Sequence, residues 1–208
     1  MKNVILVGSG GHALSIMALK SKSLDRITAY TDIVPNKKFS LTYAGTDGDV
    51  LNKYDKEKYS ILIGLSYVGT HVELGLRKKL INTYREYDFY TVVADSGIIK
   101  ENVSIGNGSV VFENVLINIS SKLGLNCVVN TAAIIEHHCI LGDNVQIGPG
   151  CVVCGNVEIG SNTFIGAGSV IRDSVKIADN VIVGLGSIVT NDLIDSGLYF
   201  GSPAKRVR

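Results

Sequence analysis

A small α/β domain followed by a left-handed parallel β-helix is the fold class that the sequence predicts, and three observations predict it. An aliphatic residue recurs every six positions through the second half of the chain. Strand-like and helix-like runs alternate through the first half. Between the first strand and the first helix lies a glycine-rich turn, Gly8-Ser9-Gly10-Gly11.

The six-residue row runs without insertion through Ile99, Ile105, Val111, Ile117, Leu123, Val129, Ile135, Leu141, Ile147, Val153, Ile159, Ile165, Ile171, Ile177, Val183 and Val189. If roughly half of all residues are apolar, a row of this length at a preset spacing arises by chance about once in 10^5. Glycine often follows the aliphatic residue, and a small or β-branched residue stands four places after it, as at Ser109, Cys127, Val145, Thr163 and Ser187. Six residues suit a short strand and a corner, so three units close a triangular coil of about 18 residues with the aliphatic row on its axis. The axial row alone does not offset the backbone entropy of ordering the coil. Packing of flat prism faces against identical neighbours is therefore expected, and with it an oligomer.

In the first half, Val4–Val7 reads as a strand, 12–20 as a helix, Ile27–Thr31 and 60–64 as strands, 71–81 as a helix and 89–93 as a strand. Such alternation predicts a small parallel α/β domain. The segments 34–37 and 45–48 carry the proline, asparagine and glycines that favour turns. The boundary falls near Asp95-Ser96-Gly97, which divides the chain into a small Rossmann-like domain, 1–95, and a β-helix domain, 96–208.

Composition narrows the partners. The chain has 208 residues, 46% hydrophobic and 19% charged, with a formal net charge of +1. Neither a basic tail nor a long cationic run argues for nucleic acid. No stretch approaches the roughly 18 apolar residues of a membrane span, and the opening apolar run is too short for a signal peptide. A cytoplasmic enzyme or binder of small molecules is expected. Cys127, Cys139, Cys151 and Cys154 are expected as free thiols, the first three packing inward at the small position of the repeat.

The turn at Gly8-Ser9-Gly10-Gly11-His12-Ala13, with Asp32 closing the second strand, satisfies the pattern of a phosphate-binding loop in which glycines admit a close approach of backbone to ligand. Three readings stay open on these residues: a turn without a ligand, an NAD site using Gly8, Gly10, Ala13 and Asp32, and a nucleotide diphosphate site without hydride chemistry. The last is preferred, because a dinucleotide domain seldom ends so soon. In the second half, Ile135-Glu136-His137-His138-Cys139 holds the only histidines of the β-helix. An imidazole can take the proton that an amine loses on attacking a thioester. Zinc is not expected, since Cys151-Val152-Val153-Cys154 is a single C-x-x-C. A carbonic anhydrase of the hexapeptide type needs three metal-binding histidines, whereas His12 and His71 lie in the other domain.

Over essentially its whole length the chain resembles the sialic acid O-acetyltransferase and bacillosamine-pathway N-acetyltransferase family of hexapeptide-repeat enzymes. The resemblance rests on Gly8-Ser9-Gly10-Gly11-His12, Asp32, Ile63-Gly64, Asn130-Thr131, Ile135-Glu136-His137, Cys154-Gly155-Asn156-Val157 and the ending Gly201-Ser202-Pro203-Ala204-Lys205. It implies that His137 is the general base, with His138 beside it, and that the Gly155 amide holds the thioester oxygen as charge develops. It places a sugar nucleotide, expected as UDP-linked, on Gly10, Gly11, His12, Asp32 and Gly64. Acetyl-CoA is implied along the prism near Gln146, Ala167, Leu185 and Lys205, between neighbouring subunits of a homotrimer, with Asn130 orienting the acceptor amine and no metal involved. The expected reaction is direct N-acetylation of a 4-amino-4,6-dideoxy sugar, without a covalent enzyme intermediate. Sugar O-acetylation and a non-catalytic sugar-nucleotide-binding homologue are the alternatives. Three positions depart from the family pattern: His138 stands where an acid is common, Gln146 where a second histidine is common, and Ile33 where relatives that bind uridine can carry a second Asp.

Overall fold

The computed structural model describes residues 2–66 and 71–207. Its contacts divide the chain into two compact units, Met1–Val93 and Ala94–Arg208.

In the first unit four parallel strands form a sheet: β1 (Asn3–Val7), β2 (Ile27–Thr31), β3 (Thr42–Tyr43) and β4 (Tyr59–Ile63), in the order β3-β2-β1-β4. Parallel pairing needs crossovers, and the helices supply them: α1 (Gly11–Met17) follows β1, α2 (Asp47–Lys53) lies between β3 and β4, and α3 (His71–Thr83) follows β4. Near-continuous apolar runs such as Val4–Val7 and Ile61–Ile63 are buried, as expected of a sheet covered on both faces. Ile5, Val7, Ile61, Ile63, Val50, Leu80 and Tyr84 pack into its core. The first helix is shorter than its sequence pattern, ending at Met17. The expected strand at 89–93 contracts to Val92–Val93, with Phe89 making one isolated bridge to Ile61.

Helix α2 falls where turn residues led to the expectation of a loop. Thr46 caps it: its hydroxyl accepts from Asp49 N, and Asp49 Oδ2 accepts from Thr46 N at 2.9 Å. This reciprocal pair satisfies amide donors that have no partner within the helix, and it outweighs the low helix propensity of Gly48.

The second unit is a parallel β-helix of two-residue strands, each paired with the strand 18 residues on. Three flat sheets result. The axial aliphatic side chains are almost fully buried from Val111 through Val189. At the corners the second turn residue is left-handed, as at Asn102, Asn126, Asn144, Asn162 and Asn180, with φ of 55–57°. Asparagine tolerates that conformation better than most residues, which explains its recurrence in the repeat. Beyond the last coil, Gly197–Phe200 adds a parallel strand and Lys205–Arg206 an antiparallel one.

The outward-facing rows distinguish the three faces. One carries Val110, Val128, Gln146, Phe164 and Ile182, which is buried except at Phe164, half-buried. A second carries Ser104, Lys122, Ile140, Glu158 and Lys176 and is exposed, with an ion pair between Lys176 and Glu158 at 2.9 Å. The third carries Ile98, Leu116, Ile134, Val152, Val170 and Ile188, aliphatic at every coil yet half-buried or exposed.

Candidate functional site

The third face ends at the corner that holds His137 and His138. One coil is 18 residues, so the residue stacked on His137 is Gly155. A Cβ built on Gly155 would lie 2.5 Å from Cε1 and 2.6 Å from Nε2 of the His137 ring. A side chain there would have to displace the imidazole, which occupies the space that glycine leaves. Asn156 N donates to the His137 carbonyl at 2.9 Å, which ties the two coils together. The Gly155 N–H has no acceptor among the described residues, so it is available to a ligand. Just before the histidines, the Glu136 carboxylate accepts from Asn118 Nδ2 at 2.7 Å and its carbonyl accepts from Ser121 Oγ at 2.7 Å. His137 Nδ1 and His138 Nδ1 are 3.1 Å apart.

The other β-helix residues singled out in the sequence lie elsewhere on the chain. Asn130 precedes the preceding corner, where its Oδ1 accepts from Thr131 N at 2.8 Å. Ala167 and Leu185 share that corner's column, one coil apart. Gln146 is buried on the covered face, paired with Val128 and Phe164. Lys205 is exposed on the last strand. The third face therefore has His137, His138 and Gly155 along one edge and Ala167 and Leu185 along the other.

The cysteines pack. Cys127, Cys139 and Cys151 are fully buried, and their thiols lie 3.2, 3.1 and 3.0 Å from the carbonyls of Gly142, Cys154 and Gly166. Burial pushes the Cys139 thiol up to about 11, which leaves it a poor nucleophile. Among the described residues no group of three or more His, Cys, Asp or Glu side chains is placed to hold a metal ion, and no helix is long and apolar enough to cross a membrane.

In the first unit, a cleft of about 300 Å³ opens at the carboxyl ends of β1 and β2, the usual place for ligands in open α/β sheets. Val7, Gly8, Thr31, Asp32, Ile33, Thr46, Asp47, Gly48, Leu65, Leu76 and Leu80 line it. Of the five nucleotide-binding residues expected from the sequence, Asp32 alone lines this cleft. Its Oδ2 accepts from Ser9 N at 2.8 Å and Ser9 Oγ at 2.5 Å, and its Oδ1 from Ile33 N at 2.7 Å. Asp32 thus clamps the glycine turn onto β2. Gly64 is explained by packing, since a Cβ there would approach the Val7 carbonyl to 2.8 Å and Ala13 Cβ to 3.0 Å. Gly10 and Gly11 open onto free space. Burial, reinforced by the Arg77 guanidinium, holds the His12 imidazole down at about 3, so it is neutral at physiological pH and offers a phosphate no positive charge. Sequence reasoning missed the α2 side of the cleft. Asp47 there accepts from the Tyr84 hydroxyl at 2.6 Å, and the Thr46-x-x-Asp49 spacing is the signal that could have located it.

Residues 138–173 and 156–191 match the family described as "Bacterial transferase hexapeptide (six repeats)", so this stretch of the β-helix carries the hexapeptide repeat. Among curated proteins no sequence matches. Solved structures resemble the chain over nearly its full length. The acetyltransferase domain of PglB from Neisseria gonorrhoeae FA1090, in complex with acetyl coenzyme A, is 25% identical with a TM-score of 0.87, covering 99% of both chains. PerB from Caulobacter crescentus, in complex with CoA and GDP-perosamine, is 29% identical with a TM-score of 0.87, covering 99% of this chain and 97% of that one. WeeI from Acinetobacter baumannii AYE, 21% identical with a TM-score of 0.84 over 100% of both chains, shares the fold.

Proposed function

We propose that this protein is an acetyltransferase that moves the acetyl group of acetyl-CoA onto the amine of a nucleotide-linked amino sugar. The observation that carries the reading is the stacking of His137 on Gly155, which sets an imidazole beside a backbone N–H that has no acceptor among the described residues. The two groups match what aminolysis of a thioester needs. An imidazole takes the proton that the attacking amine loses, and an N–H stabilises the oxygen on which negative charge develops. Support for the substrate class comes from the PglB and PerB structures, which contain acetyl coenzyme A in one and CoA with GDP-perosamine in the other.

The nucleotide sugar is assigned to the first unit, at the cleft edged by Gly8 and Asp32 and the adjoining Gly10-Gly11-His12 turn. UDP and GDP are its two candidate carriers, the second because of the ligand that PerB holds. Acetyl-CoA is assigned to a groove between subunits of a homotrimer. The exposed aliphatic face supports this, since its two edges hold His137 on one side and Ala167 and Leu185 on the other. Burying that face against a neighbour brings one subunit's His137 edge toward another's Ala167 edge and removes apolar surface from water.

Thiol release from acetyl-CoA, followed with UDP-, GDP- and dTDP-linked 4-amino sugars, tests the reading. Transfer to at least one is expected; thiol release with none of them, or binding of a sugar nucleotide without acetyl-CoA, overturns it. Val152→Glu places a charge on the aliphatic face and is expected to give monomers in sedimentation with loss of transfer. A fully active monomer removes the intersubunit site.

A further inference from the structure

At the corner that follows the aliphatic face, the first five coils put their second turn residue into the left-handed region: Asn102, Ser120, His138, Asn156 and Ser174 have φ of 57–61°. Four of these are Asn or Ser, small residues that fit. His138 alone brings a ring into this conformation, and unusual backbone settings of large residues concentrate at functional sites. Its ring makes one hydrogen bond among the described residues, between its Nδ1 and Nδ1 of His137 at 3.1 Å, with the ring planes at 79°. Two nitrogens at that distance share one proton. Because both sides use Nδ1, the position of that proton decides which nitrogen of His137 is a base. A proton on His137 Nδ1 leaves its Nε2 lone pair bare; a proton on His138 Nδ1 leaves His137 protonated at Nε2.

We propose that His138 is a positioning residue whose Nδ1 accepts the His137 Nδ1–H, holding His137 in the tautomer with a bare Nε2. The consequence for turnover rests on the acetyl-transfer reading above; the geometry does not. In the transfer the acceptor nitrogen bonds to the thioester carbonyl carbon, and an N–H bond breaks with its proton going to His137 Nε2. The C–S bond then breaks with its electron pair going to sulfur, and the proton passes from Nε2 to the thiolate. While His137 is an imidazolium, its Nδ1–H donates to a neutral imidazole, a charge-assisted hydrogen bond. A carboxylate in this position would favour the imidazolium more strongly. An imidazole is instead a neutral acceptor, which fixes the tautomer without adding a charge. The other titratable or charged groups in the stacked columns at this corner are Lys100, Glu101, Glu136, Cys154, Arg172, Asp173 and Asp192, and none makes a hydrogen bond or ion pair to either ring.

Three substitutions separate this role from a merely structural one. Asn at 138 places a neutral oxygen where Nδ1 stands, Asp places a charged one there, and Ser removes the acceptor; Asn and Ser occupy this register in other coils. Nitrogen NMR of histidine-labelled protein reads the tautomer without any substrate. The intact protein and His138→Asn are expected to hold His137 with its proton on Nδ1, and His138→Ser is expected to lose that preference. In thiol-release assays, His138→Ser lowers kcat by on the order of 10–100-fold at unchanged KM values, and His138→Asn recovers most of it. His138→Asp moves the acid limb of the kcat profile to higher pH. The proposal is overturned if the intact protein carries the His137 proton on Nε2, or if the Ser variant matches it in tautomer, rate and pH profile. Should no amino sugar release thiol with the intact protein, the acetyl-transfer reading falls and the NMR result still decides the role of His138.

Discussion

Both units are built on parallel strands, yet they place side chains by opposite means. In the β-helix, strand pairs lie 18 residues apart until the last coil, where Val181 pairs with Gly197, so sequence distance converts directly to position: Lys122 pairs with Ile140 and Ile140 with Glu158. In the α/β unit, β1 sits between strands that begin at residues 27 and 59, and its cleft draws on segments from Val7 to Leu80 with no common period. A periodic scaffold makes the effect of a substitution readable from register, whereas an aperiodic one makes it depend on which crossovers happen to converge.

The sharpest way to break that comparison is at the register itself. His137→Ala is expected to lower turnover by about 10^2–10^4 while leaving the melting temperature unchanged, because the side chain is exposed at a corner and packs no core. Wild-type turnover would remove His137 from the mechanism. Gly155→Ala should be felt through the stacking. Its new Cβ falls 2.5 Å from the His137 ring, so the imidazole must move. The ring is exposed and can swing aside at little cost, so turnover is expected to fall while stability in denaturant titrations stays unchanged. An unchanged rate would show that the ring position carries no function.

In the α/β unit the effects are expected to be smaller and to spread. Asp32→Asn replaces one carboxylate oxygen by an amide that cannot accept, which leaves donors of Ser9 or Ile33 without a partner. A loss of about 1–3 kcal/mol in stability is expected, together with weaker sugar-nucleotide binding in calorimetry. Binding weakened at intact stability would instead make Asp32 a direct ligand. The smallest effect is a pH slope. His12 resists protonation down to about pH 3 in the folded chain, against an ordinary value of 6.5. Between these values the unfolded chain binds a proton that the folded chain does not, so stability falls as pH drops through that window. Melting at pH 7 and pH 5 should show the decline, and His12→Gln should flatten it.

How much of the site was legible follows the same division. His137 and Gly155 were legible together, because a residue and its neighbour one coil on are fixed by counting. The clamp of Asp32 on Ser9 was only half legible. The spacing of the glycine turn and the acid was visible, but that both carboxylate oxygens serve the protein's own backbone and hydroxyl is decided by how β1 and β2 pair. Helix α2 was missed because Gly45 and Gly48 read as turn residues, while the cap that overrides them depends on side-chain bonds between Thr46 and Asp49.

What the sequence determined by itself is the β-helix: its period, its axial row, its inward cysteines and the corner on which His137 meets Gly155. Each follows from short-range pattern repeated until chance is excluded. What the tertiary structure decided is where pattern is silent. It left one prism face aliphatic and uncovered, turned His138 onto His137 through a left-handed corner, and gathered the Asp32 cleft from distant segments. These depend on contacts between residues whose separation in the chain carries no information about their separation in space.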